Sequence, residues 1–467
     1  MSRTINIDPI TRISGFLEIE TKLNDKTITD VKTSGLLYRG FEKILENRPP
    51  LDAIYLTERI CGICSAAHSI ASAQALEDAF NITPSLNDIY IRDLIHGLEF
   101  IQNHIRHFYL FTVPSYVKIK NISPLEEETY KDFRIPGNLE DKITKHYVNS
   151  IEISRLAHEA QATLGGKAPH NHGVFVGGVT VNIDSYKLAK IQSIIIKLKE
   201  FTNIMLRDAF IISKYYKDYY KKGSSYENYM SFGCFDNYKD EEISYVKKSV
   251  MIGSKKYPLD PSKINENTLY AYYKDNKTES PDSLYKEDID ISKENAYSFI
   301  KAPRYDNLPM EVGPLARLKL KGEYKGGNSC MDRIIARVIE TKLIIDILDN
   351  ISKRIELVPN NQSKYDIPQQ AYGKGLIDTT RGALAHYIKI ENKKIKFYHL
   401  ITPTGWNLSP KDSAGLYGPL EKSLLNLKLY DERNPVEIGR IARSFDPCVS
   451  CATHVISKCN IMNIKVV

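Results

Sequence analysis

Asp446-Pro447-Cys448-Val449-Ser450-Cys451-Ala452-Thr453-His454 nearly closes a chain of 467 residues, and Arg59-Ile60-Cys61-Gly62-Ile63-Cys64-Ser65-Ala66-Ala67-His68 stands near its start. Each stretch is a Cys-x-x-Cys pair followed by a histidine, and no third copy lies between them. Two intervening residues let both sulfurs of a pair reach one metal ion, so a fold that joins the pairs gathers four thiolates at one point. Soft sulfur donors select zinc, copper(I), nickel or iron–sulfur clusters over hard cations. Zinc ribbons, however, usually join their pairs across roughly 15–20 residues, and here nearly the whole chain intervenes. On spacing alone three readings stay open: a structural zinc site, a redox-active metal, and two unrelated dithiols.

If the two motifs share a site, the chain between them must wrap around it. From Ile5 to Ser34 short apolar–polar alternation with turn signals at Asp8-Pro9 and Asn24-Asp25 predicts a small antiparallel sheet, about residues 1–35. Helical periodicity begins near Phe41, and the Cys61 motif falls at a helix start or bend. Ile91, Leu94, Ile95, Leu98, Ile101, Ile105 and Phe108 recur at three and four, which predicts a long amphipathic helix from Asn87 to Phe111. Further helices are expected over Ile151–Leu164, Tyr186 to about Tyr220, and Cys330–Leu357, with strands and loops from Lys221 to Tyr305 and only short elements after Leu357. No internal repeat and no Pro-, Gly- or Ser-rich linker divides the sequence. The expectation is therefore one large α+β domain, predominantly helical, with an N-terminal antiparallel sheet and a long central helical bundle.

Composition excludes several classes. Hydrophobic residues make up 42% and charged residues 26%, as in ordinary soluble globular proteins. The net charge of +7 is spread over many lysines and acids with no dense basic tract, so nucleic acid is not an expected partner. No stretch reaches the ~18 apolar residues of a membrane helix, and no apolar run near Met1 reads as a signal peptide. Four of the seven cysteines lie in the motifs, while Cys234, Cys330 and Cys459 are scattered, which is no disulfide framework.

Taken together, Arg59-x-Cys61-Gly62-x-Cys64-x-x-x-His68 and Asp446-Pro447-Cys448-x-x-Cys451-x-x-His454 resemble the two signatures of the large subunit of nickel–iron hydrogenases. Further blocks resemble that family along the chain, among them Asp8-Pro9-Ile10-Thr11-Arg12, Gly165-Gly166-Lys167-Ala168-Pro169-His170, Thr380-Arg381-Gly382-Ala383-Leu384 and Pro403-Thr404-Gly405-Trp406-Asn407. The resemblance implies a catalytic subunit that oxidises dihydrogen, heterolytically and reversibly, to protons and electrons. It implies that Cys61 and Cys448 are terminal ligands of nickel, and that Cys64 and Cys451 bridge nickel to an iron carrying carbonyl and cyanide. His68 then lies near a bridging sulfur. Glu42, the backbone carbonyl of Leu400 and His454 match positions that hold magnesium or a similar ion. Arg381, Thr404 and Asp446 match the shell around the diatomic ligands and the open nickel position, where a guanidinium and a hydroxyl can donate hydrogen bonds.

The scattered cysteines cannot hold a second cluster, so electrons are expected to leave through an iron–sulfur small subunit in a heterodimer. A membrane cytochrome or another acceptor would follow it. Uptake-type, membrane-associated action on the exported side is the expected setting, with export directed by the partner. The 455–467 segment is expected to be an extension removed by a maturation endopeptidase after metal loading, leaving His454 at the C-terminus. Two departures stand out. Ser14 occupies a position where the family usually has a glutamate thought to carry protons, and a hydroxyl cannot hold a proton as a titrating group. Ser115 likewise replaces a common aspartate. A metal-free relative in respiratory complex I is the alternative from another class, and the retention of all four cysteines argues against it.

Overall fold

The computed structural model describes residues 3–123, 125, 132–283, 288–359 and 364–452, with the side chains of Cys451 and Ala452 excepted. His454, Cys459 and the whole proposed extension lie outside the described residues. The N-terminal sheet forms as expected: Arg3–Ile7, Leu17–Asn24 and Thr27–Gly35 pair antiparallel in chain order. The turn after Asn24 uses Asp25 and Lys26, both with positive φ, the geometry that suits a tight hairpin.

Four long helices make the central bundle: Leu86–Arg106, Gly137–Gly165, Ser185–Tyr215 and Cys330–Ser352. The first packs against the second and fourth, and the third packs against the same two. Local chemistry starts three of them. The Ser85 hydroxyl accepts from the Asp88 N–H, and the Asp184 carboxylate accepts from the Lys187 N–H. Ser329 and Asp332 cap each other reciprocally. Every apolar residue in the periodic run from Ile91 to Phe108 is buried, and after Arg106 the helix widens into a π-helical turn, His107–Thr112. The Gly137–Gly165 helix starts well before the expected Ile151 because its first half is polar and half-exposed, which hides the apolar period.

The expectation of only short elements after Leu357 is wrong. Gln370–Thr379, Gly382–Glu391 and Lys394–Ile401 form a three-stranded antiparallel sheet with the longest strands of the described chain. Its middle strand is almost wholly buried, so the polar–apolar alternation that marks a half-exposed strand is absent there. Its first hairpin is tight: Thr379 pairs with Gly382, leaving Thr380 and Arg381 as the turn. The Ser65–Phe80 helix lies on this sheet. The approach is close enough that a Cβ on Gly375 would sit 2.0 Å from the Ala71 carbonyl oxygen, and one on Gly373 would sit 2.1 Å from that of Ala75. These glycines set the height of the helix that begins at Cys64. One hydrophobic cluster runs from Ile7 to Val449 and so joins both ends of the described chain.

Gly375→Ala would force helix and sheet apart. Overpacking of this kind costs about 1–3 kcal/mol, and the expected result is a lower denaturant midpoint together with a reduced metal content in purified protein.

Candidate metal centre

The two motifs meet. Cys61, Cys64 and Cys448 are buried, and their sulfurs lie within 4.8 Å of one another. Among the described residues this is the one group of three or more side chains placed to hold a metal ion. The Cys61 and Cys448 sulfurs are 3.3 Å apart, much longer than the ~2.05 Å of a disulfide. Cys451, whose backbone lies in the last helical turn, Val449–Ala452, belongs to the same segment, but its side chain lies outside the described residues.

Each thiol has its own support. Cys61 follows a 3-10 turn, Glu58–Ile60, and its sulfur accepts from the Ile63 N–H at 3.2 Å. Cys64 is the N-cap of the Ser65–Phe80 helix, yet its side chain does not cap it. The carboxylate of Glu99 does, accepting from the N–H groups of Ala66 (2.7 Å) and Ala67 (3.1 Å). Cys448 donates its own N–H to the Thr404 hydroxyl at 3.1 Å. The segment is held from the other side by the N-terminal loop. Ser14 N–H donates to the Pro447 carbonyl (3.2 Å) and Val449 N–H to the Ser14 carbonyl (2.7 Å). Gly15 has φ +86°, and a Cβ there would lie 2.7 Å from the Ser450 nitrogen, so only glycine lets the two segments come this close. Arg39 ties both motifs together, donating to the carbonyls of Arg59, Ile60 and Ser450.

Asp446 stands two residues before Cys448 with φ +54°. Arg381 donates from Nε to its backbone carbonyl (2.8 Å) and from Nη2 to its Oδ1 (3.0 Å). Asn103 donates to Oδ2 at 2.9 Å, and Arg337 lies 3.2 Å from the same oxygen. The Asn103 carbonyl accepts from both Arg381 and Arg106. Burial would raise the Asp446 carboxyl, but Arg381, His107 and Arg337 outweigh it and hold the group well below the ordinary range. Burial likewise opposes the charge of Arg381, and Asp446 with the three thiols reverses this. Arg337 is pulled down to about 10 by burial, since Asp446 only partly compensates.

Of the residues expected from the sequence, Cys61, Cys64, Cys448, Arg381, Asp446 and Thr404 are thus brought together. His68 lies one turn beyond Cys64, and burial pulls its imidazole down to about 4, so it is neutral. Its Nδ1 is 3.0 Å from His386 Nε2, and His386 continues to the Tyr398 hydroxyl at 2.8 Å. Glu42 lies in the short Phe41–Leu45 helix, which packs on the Lys394–Ile401 strand that carries Leu400. Ser115 is buried, and its carbonyl accepts from Arg440 Nε at 2.9 Å. Cys234 and Cys330 are buried apart from the centre, with both thiols raised by burial.

Sequence reading missed Asn103, Arg106, Arg337, Glu99 and Arg39. A signal existed for four of them. Glu99, Asn103 and Arg106 recur at four and three on the apolar-rich Leu86–Arg106 helix, and Arg333, Arg337 and Glu340 do so on the Cys330–Ser352 helix. Such stripes put charge on a face that packs inward. The second stripe is neutralised in place. Arg333 makes a bidentate pair with Glu311, and Glu340 makes one with Arg317 while also accepting from Tyr245.

The donor set fits a metal centre rich in thiolate. Three buried thiols gathered at one point are soft donors. Arg106, Arg337 and Arg381 around Asp446 supply positive charge that ionised sulfurs would balance.

A family model for nickel-dependent hydrogenases matches residues 39–138, 117–327 and 318–454. The chain belongs to that family. The periplasmic [NiFeSe] hydrogenase large subunit of Desulfomicrobium baculatum is 33% identical, with 97% of this chain and 95% of that protein covered. The uptake hydrogenase large subunit of Bradyrhizobium diazoefficiens is 29% identical over 97% of this chain and 96% of its own length. The Ni-Fe-Se hydrogenase of D. vulgaris Hildenborough, solved in its reduced state, matches with a TM-score of 0.92 at 33% identity, covering 97% of this chain and all of that one. The protein is therefore a hydrogenase large subunit, an oxidoreductase acting on dihydrogen.

The buried charge network sets a pH limit. Arg317 and its neighbours hold Glu340 far below the ordinary carboxyl range despite burial. A depressed folded-state pKa gives stability that is present above the ordinary value of about 4.3 and is lost as pH falls below it. Glu340→Gln would leave Arg317 short of its bidentate partner at a cost of about 3–5 kcal/mol. Unfolding at pH 7 should show that loss, and the gap between wild type and variant should narrow below pH 4.

Proposed function

We propose that Cys61, Cys64, Cys448 and Cys451 hold a nickel–iron centre, with Cys61 and Cys448 terminal on nickel and Cys64 and Cys451 bridging to an iron that carries carbonyl and cyanide. The convergence of three buried thiols from opposite ends of the chain carries this reading. When bound, such a centre supplies the electron-rich site at which dihydrogen is cleaved. The chain's own residues orient and enclose it. Arg381 is fixed by three hydrogen bonds to Asp446 and Asn103, so its guanidinium presents charge without freedom to swing away. Thr404 fixes the Cys448 backbone, and the neutral His68–His386 pair closes the inner side. Glu42, the Leu400 carbonyl and His454 would hold a magnesium or similar ion.

Electrons would pass to an iron–sulfur small subunit, because the described residues bring no second sulfur cluster together. The names of the relatives, periplasmic, quinone-reactive and uptake, support an exported, membrane-associated setting reached through partners. No helix among the described residues is long and apolar enough to cross a membrane. Both positions of the closing motif are cysteine, so the donors here are sulfur.

Metal analysis and infrared spectroscopy of the purified complex test the reading. Nickel, with iron in excess of it because of the partner's clusters, and bands of metal-bound carbonyl and cyanide that disappear in Cys64→Ser, are expected; zinc without nickel would overturn it. Mass spectrometry of the active enzyme should find the chain ending at His454. A full-length active species would refute processing.

A further inference from the structure

The loop from Thr268 to Lys277 closes on itself. Thr268 donates its N–H to the Lys277 carbonyl at 3.0 Å, and Lys277 returns its own N–H to the Thr268 hydroxyl at 3.1 Å. Inside the bend four main-chain oxygens face one point, and the ammonium of Lys293 stands there. Its Nζ donates to the carbonyls of Thr268 (2.6 Å), Tyr273 (2.7 Å) and Ala271 (3.0 Å), with the Asp275 carbonyl at 3.4 Å. We infer that this loop is a cage for a monovalent cation and that Lys293 fills it with its own ammonium in place of a free ion. The filled cage sets the position of Arg39 between the two cysteine motifs.

The four oxygens are all carbonyls, the donor set of an ion site. Carbonyl oxygens arranged around a point replace the hydration shell of a bare monovalent cation, and a lysine ammonium is a compact charge with three donors. Lysine ends ordinarily stay in water, because fixing so long a stem costs rotamer freedom. Lys293 is half-buried and gives up both water and freedom to reach the carbonyls. Burial opposes its charge, while Asp290 and Asp275 favour it. The segment that carries it is bonded to the loop on either side of it. Asp290 donates its N–H to the Tyr272 carbonyl (3.1 Å), and Tyr297 donates to that of Tyr270 (3.0 Å).

The same loop carries an aromatic group that leads to the metal centre. Tyr273 donates its hydroxyl to the Phe299 carbonyl at 3.1 Å and sets its ring edge-on to Tyr38, with centroids 6.4 Å apart. Tyr272 packs on Phe299 at 4.9 Å, and Phe299 stacks on Tyr38 at 6.1 Å. Tyr38 precedes Arg39, whose guanidinium donates to the Arg59 and Ile60 carbonyls just before Cys61 and to the Ser450 carbonyl just after Cys448. Emptying the cage releases the Ala271 and Tyr273 carbonyls together, and with them the packing that holds Tyr38. Lys293 is thus a positioning residue that acts through Arg39.

The test uses the complete enzyme carrying Lys293→Ala, with ammonium, potassium and tetramethylammonium chlorides as probes at equal ionic strength. The variant's thermal midpoint should fall by about 2–4 °C. Its dihydrogen-dependent dye reduction should fall by about 10- to 100-fold, the upper value being the cost of a displacement of about 1 Å far from the chemistry. Ammonium and potassium should raise the variant's midpoint with the logarithm of their concentration, as ligands of the folded state do, and should restore part of the rate. Tetramethylammonium, too wide for the cage and without an N–H, should do neither. An equal response to all three salts, or a variant with wild-type midpoint and rate, overturns the proposal. A midpoint rescued by ammonium with the rate left low overturns the part that concerns Arg39. If Lys293→Ala does not fold, acetylation of the native wild-type enzyme by acetic anhydride decides the matter. Lys293 should then react at least about 10-fold more slowly than the exposed Lys274, the least that one hydrogen bond to a charged group gives, and equal rates overturn the cage.

Discussion

Asp446 is the charge on which the site depends. It is fully enclosed, its carboxylate is bound by Arg381, Asn103 and Arg337, and its backbone carbonyl takes a further bond from Arg381. The three partners come from a hairpin turn and two bundle helices, so one carboxylate joins the sheet, both helices and the closing segment. Removing one member of a buried, hydrogen-bonded ion set costs about 3–5 kcal/mol, because the remaining charges stay without compensation. The left-handed backbone at Asp446 is maintained by this same set of bonds, and it turns the chain so that Cys448 faces Cys61. The position of the thiol is thus fixed by ionic contacts that do not involve sulfur.

Much of this was legible in the sequence and some was not, for identifiable reasons. The run from Ile91 to Phe108 announces itself through the spacing of its apolar residues, although its polar residues are almost all buried too, and the hairpin around Asp25 does so through strands whose faces alternate between core and water. The sheet over Gln370–Ile401 did not, since its middle strand is covered on both faces; the Lys-Ile alternation around Asn392 and Lys393, both with positive φ, was the available cue. The cysteines were legible through their spacing. Asn103 and Arg337 carried a signal in their spacing that is easily passed over, because a polar residue in a helix reads as solvated surface until its neighbours at three and four are read as inward-facing as well.

The same device appears at two of the thiols. A helix N-terminus beside a cysteine offers N–H groups that a sulfur would ordinarily accept, and a backbone N–H at Cys448 offers another. In both places an oxygen from a distant element takes the bond: Glu99 at the Ser65–Phe80 helix and Thr404 at Cys448. Oxygen is the stronger acceptor, so each of these bonds satisfies a buried backbone donor without calling on a sulfur for it. The Cys61 sulfur itself accepts from the Ile63 N–H, which fixes that thiol to the loop that carries both cysteines of its motif.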